Sequence, residues 1–194
     1  MNTLFPIFIK LDQIRTLVVG GGNVGLEKLE ALLKNSPEAN ITLVAPYIKD
    51  EVFELAKSHQ RLNIIQRNFE VADLDNKNLV ILATDNRDLH EEIKKETEKR
   101  GILTNVADTP DLCDFYLGSV VRKDDLKIAI STNGKSPTLA KRMRQYLEES
   151  LPDNMQEVLD NLQLFRNQIK GDFQDKVQKL NELTASLLDT KNEK

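Results

Sequence analysis

Four glycines at positions 20, 21, 22 and 25 follow an apolar run and precede a stretch with leucine at helical spacing. The apolar run, residues 14–20, consists mainly of β-branched and leucine side chains, which predicts a strand covered on both faces. The leucine spacing predicts a helix, and residues 39–46 predict a second strand that stops at Pro46. A strand, a helix and a strand in so short a segment indicate a crossover, so the two strands should be parallel.

Strands and helices continue to alternate up to about residue 108. The predicted elements are a helix at 48–58, strands at 62–66 and 79–84, a helix at 88–100 closed by Gly101, and a strand at 102–108. This alternation is typical of an open sheet with helices on both faces. We therefore predict an α/β fold, a Rossmann-like doubly wound parallel sheet, for a first domain at residues 1–112.

The pattern changes after residue 112. Residues 115–132 predict two strands joined by a turn at Lys123-Asp124-Asp125. Residues 136–150 predict a helix, because Ser136 is a good capping residue and Pro137 suits the first helical position. We assign these elements to a small strand-containing region at 113–150.

The last predicted region, residues 151–194, is helical. Its apolar residues recur at intervals of three or four up to Leu180, with a longer step to Leu187, and Gly171 predicts a break. Such an apolar face serves either as a lid or dimer-forming surface or only as a packing face for the preceding domain. The sequence leaves both alternatives open, and the terminal "DTKNEK" is expected to be frayed.

Gly20, Gly22 and Gly25 occupy the first, third and sixth places of the dinucleotide-binding fingerprint, between a predicted strand and a predicted helix. Gly20 permits the tight turn, Gly22 lets the backbone approach a pyrophosphate, and Gly25 allows close contact between helix and strand. The amides at the helix N-terminus, at Asn23 and Val24, would then face the phosphates. We predict a nucleotide site; the alternative is a glycine-rich turn without a ligand.

The end of the second predicted strand bears on the choice between NAD and NADP. It holds Ala45-Pro46-Tyr47, without the acidic residue that would bind ribose hydroxyls. No arginine stands at that turn to hold a 2′-phosphate, which favours NAD. The predicted NAD contacts are Gly20, Gly22, Asn23, Val24, Gly25, Pro46, Tyr47, Thr84, Asp85 and Asn105.

Although the formal net charge is −4, the middle segment of the chain is basic. Between Ser119 and Leu147, seven basic residues (Arg122, Lys123, Lys127, Lys135, Lys141, Arg142, Arg144) stand against Asp124 and Asp125. This region is either a solvated helix face with a turn or a site for a polyanion. The acidic total gives no general reason to expect a nucleic-acid partner.

Other classes of protein are disfavoured by composition. No apolar run approaches the roughly 18 residues that a membrane span needs, and the N-terminus lacks the features of a signal peptide. The single cysteine, Cys113, cannot form an intramolecular disulfide, which suits a reducing cytoplasm. His59 and His90 stand alone, so we expect surface histidines and no permanent metal site.

Six blocks of the sequence resemble one known family over nearly the whole chain. They are "FPIFIKL", "VVGGGNVGLEKLEALL", "ITLVAP", "LVILATDN", "TNVADTPDLCDF" and "LKIAISTNGKSPTLAKRMRQYLE". In order and spacing they resemble the precorrin-2 dehydrogenase and sirohydrochlorin ferrochelatase family, which includes the N-terminal module of sirohaem synthase. The resemblance implies a Rossmann domain that binds NAD, a middle region that forms a homodimer by exchanging strands, and a helical tail that completes a tetrapyrrole cleft.

The resemblance also implies a reaction. Precorrin-2 loses a hydride to NAD⁺ and becomes sirohydrochlorin, and some members then insert Fe²⁺ to give sirohaem. The family's key aspartate lies in the block "NVADTP" and is Asp108 here. Because one group must accept a proton while the cofactor takes the hydride, Asp108 is the candidate base, and the same carboxylate would serve metal insertion. Without the resemblance, Asp108 is better explained as a turn residue before Thr109-Pro110.

The resemblance gives the basic region a partner, since precorrin-2 carries many carboxylates that call for cations and exposed amides. The predicted substrate contacts are Ser131, Thr132, Asn133, Gly134, Lys135, Lys141 and Arg142. In some relatives the position matching Thr132 is a serine discussed as a phosphorylation site; threonine keeps the hydroxyl.

Three hypotheses about function stay open at the level of sequence. The chain is a bifunctional dehydrogenase and ferrochelatase that binds Fe²⁺ only transiently, a dehydrogenase alone, or a non-catalytic Rossmann module that senses NAD(H). For either enzyme we expect a tetrapyrrole substrate, a homodimer in the cytoplasm, and neither a nucleic-acid nor a membrane partner. A sensor would need neither Asp108 nor the basic region.

Overall fold

The structure, a computed structural model, describes residues 2–185. The predicted apolar position Leu187 and the terminal "DTKNEK" lie outside the described residues. The elements are β1 (Arg15–Gly21), α1 (Asn23–Asn35), β2 (Asn40–Ile48), α2 (Asp50–Lys57), β3 (Leu62–Gln66), β4 (Leu79–Leu82), α3 (Arg87–Arg100), β5 (Leu103–Val106), β6 (Ser119–Lys123), β7 (Leu126–Ile130), α4 (Pro137–Ser150), α5 (Met155–Gln168) and α6 (Phe173–Thr184). Short 3-10 turns at Val71–Leu74 and Pro110–Leu112 complete the described chain.

Five strands form one parallel sheet in the order β3-β2-β1-β4-β5. The chain winds outward from β1 to β3 and then returns to place β4 on the other side of β1. The carboxyl ends of β1 and β4 therefore meet at the switch point of a doubly wound sheet, where such folds hold their ligands. The predicted α/β architecture is confirmed.

The central strand β1 is buried on both faces. Val18 packs with Leu29 of α1 and Val52 of α2, whereas Leu17 packs on the opposite face with Ile93 of α3. Side chains alternate across a strand, so one continuous apolar run supplies two cores. Each such leucine or isoleucine contributes about 1.5–3 kcal/mol on burial.

The helix α3 is capped at both ends, and its predicted stop at Gly101 is present. The Asn86 side chain accepts a hydrogen bond from the Leu89 N–H (3.0 Å), and Gly101 ends the helix in the left-handed region with φ of 66°. The strands on either side of α3 are shorter than predicted. They stop at Leu82 and Val106, and the backbone at Asp108 already has φ of 55°, which no strand accommodates.

After the sheet, the predicted hairpin and capped helix are both present. The strands β6 and β7 pair with each other across a two-residue turn in which Asp124 has φ of 54°. At the start of α4, the Ser136 hydroxyl accepts a hydrogen bond from the Leu139 N–H (3.2 Å). Pro137 occupies the first helical position, as predicted.

The chain divides into two compact units. The first comprises the residues up to Ser119 together with Ala129–Lys141, and the second comprises Val120–Ile128 and the chain from Arg142 onward. The segment after residue 112 is tied to the sheet edge, because the Asp114 N–H donates to the Thr104 carbonyl (2.8 Å). The predicted domain limits at residues 112 and 150 stay a prediction.

The second unit contains the helices α5 and α6, separated at Gly171, where φ is 126°. No residue of either helix is buried in the described chain. Phe165 is 52% exposed and Phe173 is 72% exposed, so the apolar face of this pair lacks a cover within its own unit. Among residues 2–185, no helix is long and apolar enough to cross a membrane.

Candidate functional site

The glycine loop, which joins β1 to α1, is tightly packed against the end of β4 at Gly20. Gly20 has φ of 116°, and a Cβ there would strike the Ala83 carbonyl at the end of β4. A Cβ on Gly25 would overlap the Gly20 carbonyl. The tight turn predicted at Gly20 and the close approach of helix and strand predicted at Gly25 are therefore both present.

Gly22 differs from its neighbours, because a Cβ placed on it would meet nothing within 4 Å. It caps α1 without a side-chain hydrogen bond, and no acidic residue stands in the first turn. Within the described residues, the first N–H of α1 that has a backbone acceptor is that of Leu26, which donates to the Gly22 carbonyl (3.0 Å). The amides of Asn23, Val24 and Gly25, at the positive end of the helix dipole, have no acceptor within residues 2–185. This cradle fits a diphosphate.

The end of β4 contributes Thr84 and Asp85 to the same edge of the sheet. The Thr84 hydroxyl shares a hydrogen bond of 2.7 Å with His90 Nε2 and accepts a weaker one from the Asn86 N–H (3.3 Å). Asp85 is exposed. The side chain of Thr84 is thus held in one orientation by its own loop and by α3.

His90 corrects the expectation that both histidines lie on the surface. It is 3% exposed, since α3 turns it toward the sheet, and its Nδ1 has no partner in the described chain. Burial lowers the pKa of His90, so the ring is neutral at physiological pH. His59 is half-buried, and its Nδ1 lies 2.9 Å from the Leu55 carbonyl.

Asp108 lies just beyond the carboxyl end of β5. Its backbone has φ of 55° and its side chain is exposed. In the part of the chain that the structure describes, no group donates a hydrogen bond to its carboxylate. The side chain is presented to solvent on a turn whose backbone conformation is uncommon for a residue with a Cβ.

The loop that carries Asp108 is closed by Cys113, a contact that sequence reasoning missed. The Val106 N–H donates to Cys113 Sγ (3.2 Å), and the thiol lies 3.2 Å from the Val106 carbonyl and 3.4 Å from that of Thr109. Burial raises the pKa of the Cys113 thiol, so it stays protonated and can donate. The only signal in the sequence is a cysteine five residues after the aspartate.

Asn105 lies inside this loop and not on its surface. It is buried, and its amide donates to the Phe115 carbonyl (2.8 Å) and, more weakly, to Cys113 Sγ (3.6 Å). Beside it, Lys94 Nζ and Asp114 form an ion pair of 2.6 Å with the lysine almost buried. These contacts anchor both ends of the Asp108 loop, while the predicted cofactor contact of Asn105 stays a prediction.

The end of β2 brings Pro46 and Tyr47 to the glycine loop, both exposed. A Cβ on Gly21 would lie 2.6 Å from the Tyr47 carbonyl, so the two segments touch. Sequence reasoning missed the next side chain, Lys49, whose Nζ donates to Asn23 Oδ1 (2.9 Å). A lysine between a strand and a helix carries no motif that would have marked it.

The predicted substrate turn lies in the first unit, beside α1. Asn133 and Gly134 have φ of 54° and 74°, and the Thr132 hydroxyl accepts a hydrogen bond from the Ser136 N–H (3.1 Å). Ser131, Thr132 and Gly134 line a groove of about 300 Å³ whose other walls include Glu27, Lys28, Tyr116, Leu117, Gly118, Ser119, Ile130, Pro137 and Ala140.

The basic residues predicted to hold the substrate are all exposed. Lys135 and Lys141 belong to the first unit, and Arg142 begins the helical part of the second, where it donates to Gln145 Oε1 (3.3 Å). The structure describes no group of three or more His, Cys, Asp or Glu side chains between residues 2 and 185 that could hold a metal ion.

Comparison with protein families gives two matches. A family described as "Putative NAD(P)-binding" matches residues 7–119, more than half of the chain. The chain belongs to this family. A second model, described as "Sirohaem biosynthesis protein central", matches residues 123–150.

Two relatives of this NAD(P)-binding protein are siroheme synthases. That of Pseudoalteromonas atlantica is 38% identical over 169 residues, which cover 87% of this chain and 36% of the relative. That of Pseudoalteromonas translucida is 39% identical over 168 residues, covering 87% and 35%. The chain therefore spans little more than a third of the length of these relatives.

A solved structure described as "SirC, precorrin-2 dehydrogenase" has the same fold. It superposes with a TM-score of 0.74 at 23% identity, covering 93% of this chain and 89% of the other. The predicted family resemblance is confirmed, and so is a nicotinamide dinucleotide as cofactor at the level of the family, whose description covers NAD and NADP.

Proposed function

We propose that this protein is a precorrin-2 dehydrogenase that uses NAD⁺ to produce sirohydrochlorin. The observation that carries the proposal is the juxtaposition at one edge of the sheet of an open phosphate cradle after β1 and an unpartnered carboxylate, Asp108, after β5. Parallel strands bring their carboxyl ends to the same edge of the sheet. In doubly wound folds, ligands bind at this edge. The siroheme synthase relatives support the choice of substrate.

The chain's own residues divide the work of holding the dinucleotide. The amides of Asn23, Val24 and Gly25 would bind the diphosphate, and the missing Cβ of Gly22 leaves room for it. Thr84, fixed by His90, offers its hydroxyl at the switch point. When bound, the nicotinamide supplies the acceptor for the hydride that leaves the substrate.

Asp108 accepts the proton that the macrocycle loses along with the hydride. Its carboxylate is free to do so, because no donor in the described chain is bonded to it and its turn projects it into solvent. The loop anchors matter for this role: Cys113, Asn105 and the pair of Lys94 with Asp114 hold the turn at a fixed distance from β5. Fixing a base in place reduces the entropic cost of proton transfer.

The anionic substrate has a matching surface in the first unit. The turn from Ser131 to Lys135 presents hydroxyls and a lysine above a groove beside α1, and Lys141 follows on α4. Cations and hydroxyls of this kind bind carboxylates. The Thr132 hydroxyl already accepts a hydrogen bond from the Ser136 amide, and its proton remains available to a ligand carboxylate.

Insertion of Fe²⁺ into the product is a second activity that Asp108 supports. Metal insertion releases pyrrole protons, and the same unpaired carboxylate can accept them. Iron is then a substrate that is held transiently.

We place the protein in the cytoplasm as a homodimer. The uncovered apolar face at Phe165 and Phe173 supports the dimer. The lone thiol supports a reducing compartment.

The test is an anaerobic assay with enzymatically generated precorrin-2 and NAD⁺, followed by absorbance for NADH and sirohydrochlorin and then by addition of Fe²⁺. Asp108→Asn should lower kcat by at least about 100-fold and leave NADH affinity unchanged. Asp111→Asn is the matched control, since this exposed carboxylate of the same loop pairs with Arg87 (3.0 Å).

The outcomes of this assay separate the three hypotheses. NADH binding without any conversion would refute the dehydrogenase and favour a sensor of NAD(H). Conversion without acceleration by iron would limit the protein to dehydrogenation. Equal turnover in the Asp108 and Asp111 variants would refute the role of Asp108 as the base.

A further inference from the structure

The residues that follow β2 are fixed directly against the glycine loop. The Lys49 N–H donates to the Gly21 carbonyl (3.0 Å), and a Cβ on Gly21 would lie 2.9 Å from Ile48 Cα. The helix α2 begins at once, at Asp50. The first turn of α2 therefore starts beside the loop that would hold the diphosphate.

Two side chains of this segment form a chain of contacts that ends on α1. Glu51 Oε1 lies 3.0 Å from Lys49 Nζ, and the same nitrogen donates to Asn23 Oδ1 (2.9 Å). The Lys49 side chain is 25% exposed and that of Glu51 is 58% exposed, so the lysine is packed while the carboxylate reaches solvent. The backbone N–H of Glu51 itself, and then the Lys49 side chain, hydrogen-bond to the Glu51 carboxylate and lower its pKa, so Glu51 stays ionised.

We propose that Glu51, oriented by Lys49, binds the ribose hydroxyls of the adenosine half of the cofactor and selects NAD over NADP. In doubly wound folds an acidic residue at the end of the second strand accepts hydrogen bonds from that ribose. Here β2 ends in Ala45-Pro46-Tyr47-Ile48, which offers no carboxylate, and the acid comes instead from the first turn of α2.

The charges explain the selection. A 2′-phosphate carries about two negative charges at neutral pH, and Glu51 would face it with a third. Lys49 compensates for only part of this repulsion, because its ammonium group is already bonded to Asn23 and Glu51 and has one donor left. Replacing Glu51 by an uncharged isostere releases Lys49 toward the phosphate. Lys49 is therefore the reason that the variant should gain affinity for NADPH.

The experiment is direct titration of the full chain with NADH and with NADPH, followed by the fluorescence of the reduced nicotinamide, without substrate. In Glu51→Gln the ratio of the two dissociation constants should shift toward NADPH by at least about tenfold. Glu54→Gln is the matched control, since Glu54 lies on α2 and pairs with Lys57 (2.6 Å) away from the loop. The double variant Glu51→Gln with Lys49→Gln should lose the gain in NADPH affinity.

This inference rests on the dinucleotide part of the proposed function and not on the tetrapyrrole. Wild-type protein that binds neither NADH nor NADPH would refute the cofactor itself. Tight binding with the same NADH to NADPH ratio in wild type, Glu51→Gln and Glu54→Gln would overturn the role of Glu51 alone. A gain in NADPH affinity that survives removal of Lys49 would overturn the role of Lys49.

Discussion

The substitution Gly22→Ala separates cofactor binding from folding. Gly22 has φ of −82° and ψ of −160°, which alanine adopts freely, and its Cβ would meet nothing within 4 Å. Alanine is a poorer helix cap than glycine by up to about 1 kcal/mol. Alanine also reduces the conformational entropy of the unfolded chain, which stabilises the folded protein by about 0.4–1 kcal/mol. The free energy of unfolding should therefore change by less than about 1 kcal/mol.

The affinity of Gly22→Ala for NADH should change much more than its free energy of unfolding. The empty space in front of Gly22 is where the backbone would approach the diphosphate, so the added methyl occupies the position of the ligand. One extra methyl in a well-packed contact costs about 1–3 kcal/mol. The dissociation constant of NADH should then rise about 5-fold to 150-fold.

Gly25→Ala is the matched variant with the opposite expectation. Its Cβ would overlap the Gly20 carbonyl inside the protein, so α1 must move away from β1. We expect a loss of at least about 1–3 kcal/mol in the free energy of unfolding. The two glycines are three residues apart, yet one variant should weaken binding without unfolding and the other should weaken both.

The measurements are urea unfolding followed by circular dichroism and fluorescence titration with NADH, on both variants and wild type. A Gly22→Ala protein that binds NADH within about twofold of wild type at equal stability would refute the reasoning. It would mean that the diphosphate does not approach the backbone at Gly22.

Two further predictions concern the residues that sequence reasoning misplaced or missed. In Cys113→Ala the Val106 N–H loses its sulfur acceptor, and the Val106 and Thr109 carbonyls lose their contact with the thiol. In the anaerobic assay kcat should therefore fall about tenfold or more while the NADH dissociation constant stays within about twofold, with partial recovery in Cys113→Ser. An equal loss of NADH affinity would contradict a role confined to the Asp108 loop. Burial lowers the pKa of His90 in the folded protein. Below about pH 6.5 the histidine is therefore protonated in the unfolded chain but still neutral in the folded chain. The free energy of unfolding should fall as the pH drops below this value. His90→Gln should flatten this part of the pH dependence in urea titrations between about pH 7 and pH 5, and an unchanged slope would show that His90 is not responsible.

Much of the fold was predictable because its signals are local. The run from residue 15 to residue 21 is buried on both faces of one strand, and the leucine spacing that follows it in the sequence predicts the helix α1. The errors occurred at strand ends. Thr84 and Asp108 were assigned to strands, but turns begin at these positions because the backbone leaves the sheet to present side chains at its edge.

The candidate site was predictable only in part. Asp108 and the glycines stand in recognisable patterns, whereas the roles of Lys49, Glu51 and Cys113 depend on which neighbours the fold brings to them. His90 was expected on the surface, since an isolated histidine in a charged helix has no pattern that marks it as buried. Its depth follows from the face of α3 that packs against the sheet at β5.

The sequence by itself determined the order of the elements, the parallel sheet and the phosphate cradle, because apolar periodicity and glycine spacing act over a few residues. Only the tertiary structure decided that β2 presses on Gly21, that α2 delivers a carboxylate beside α1, and that a thiol closes the loop of Asp108. These contacts join residues that no local pattern relates. They form when the sheet brings the carboxyl ends of its strands together, and it is there that the chain acquires the means to bind a dinucleotide.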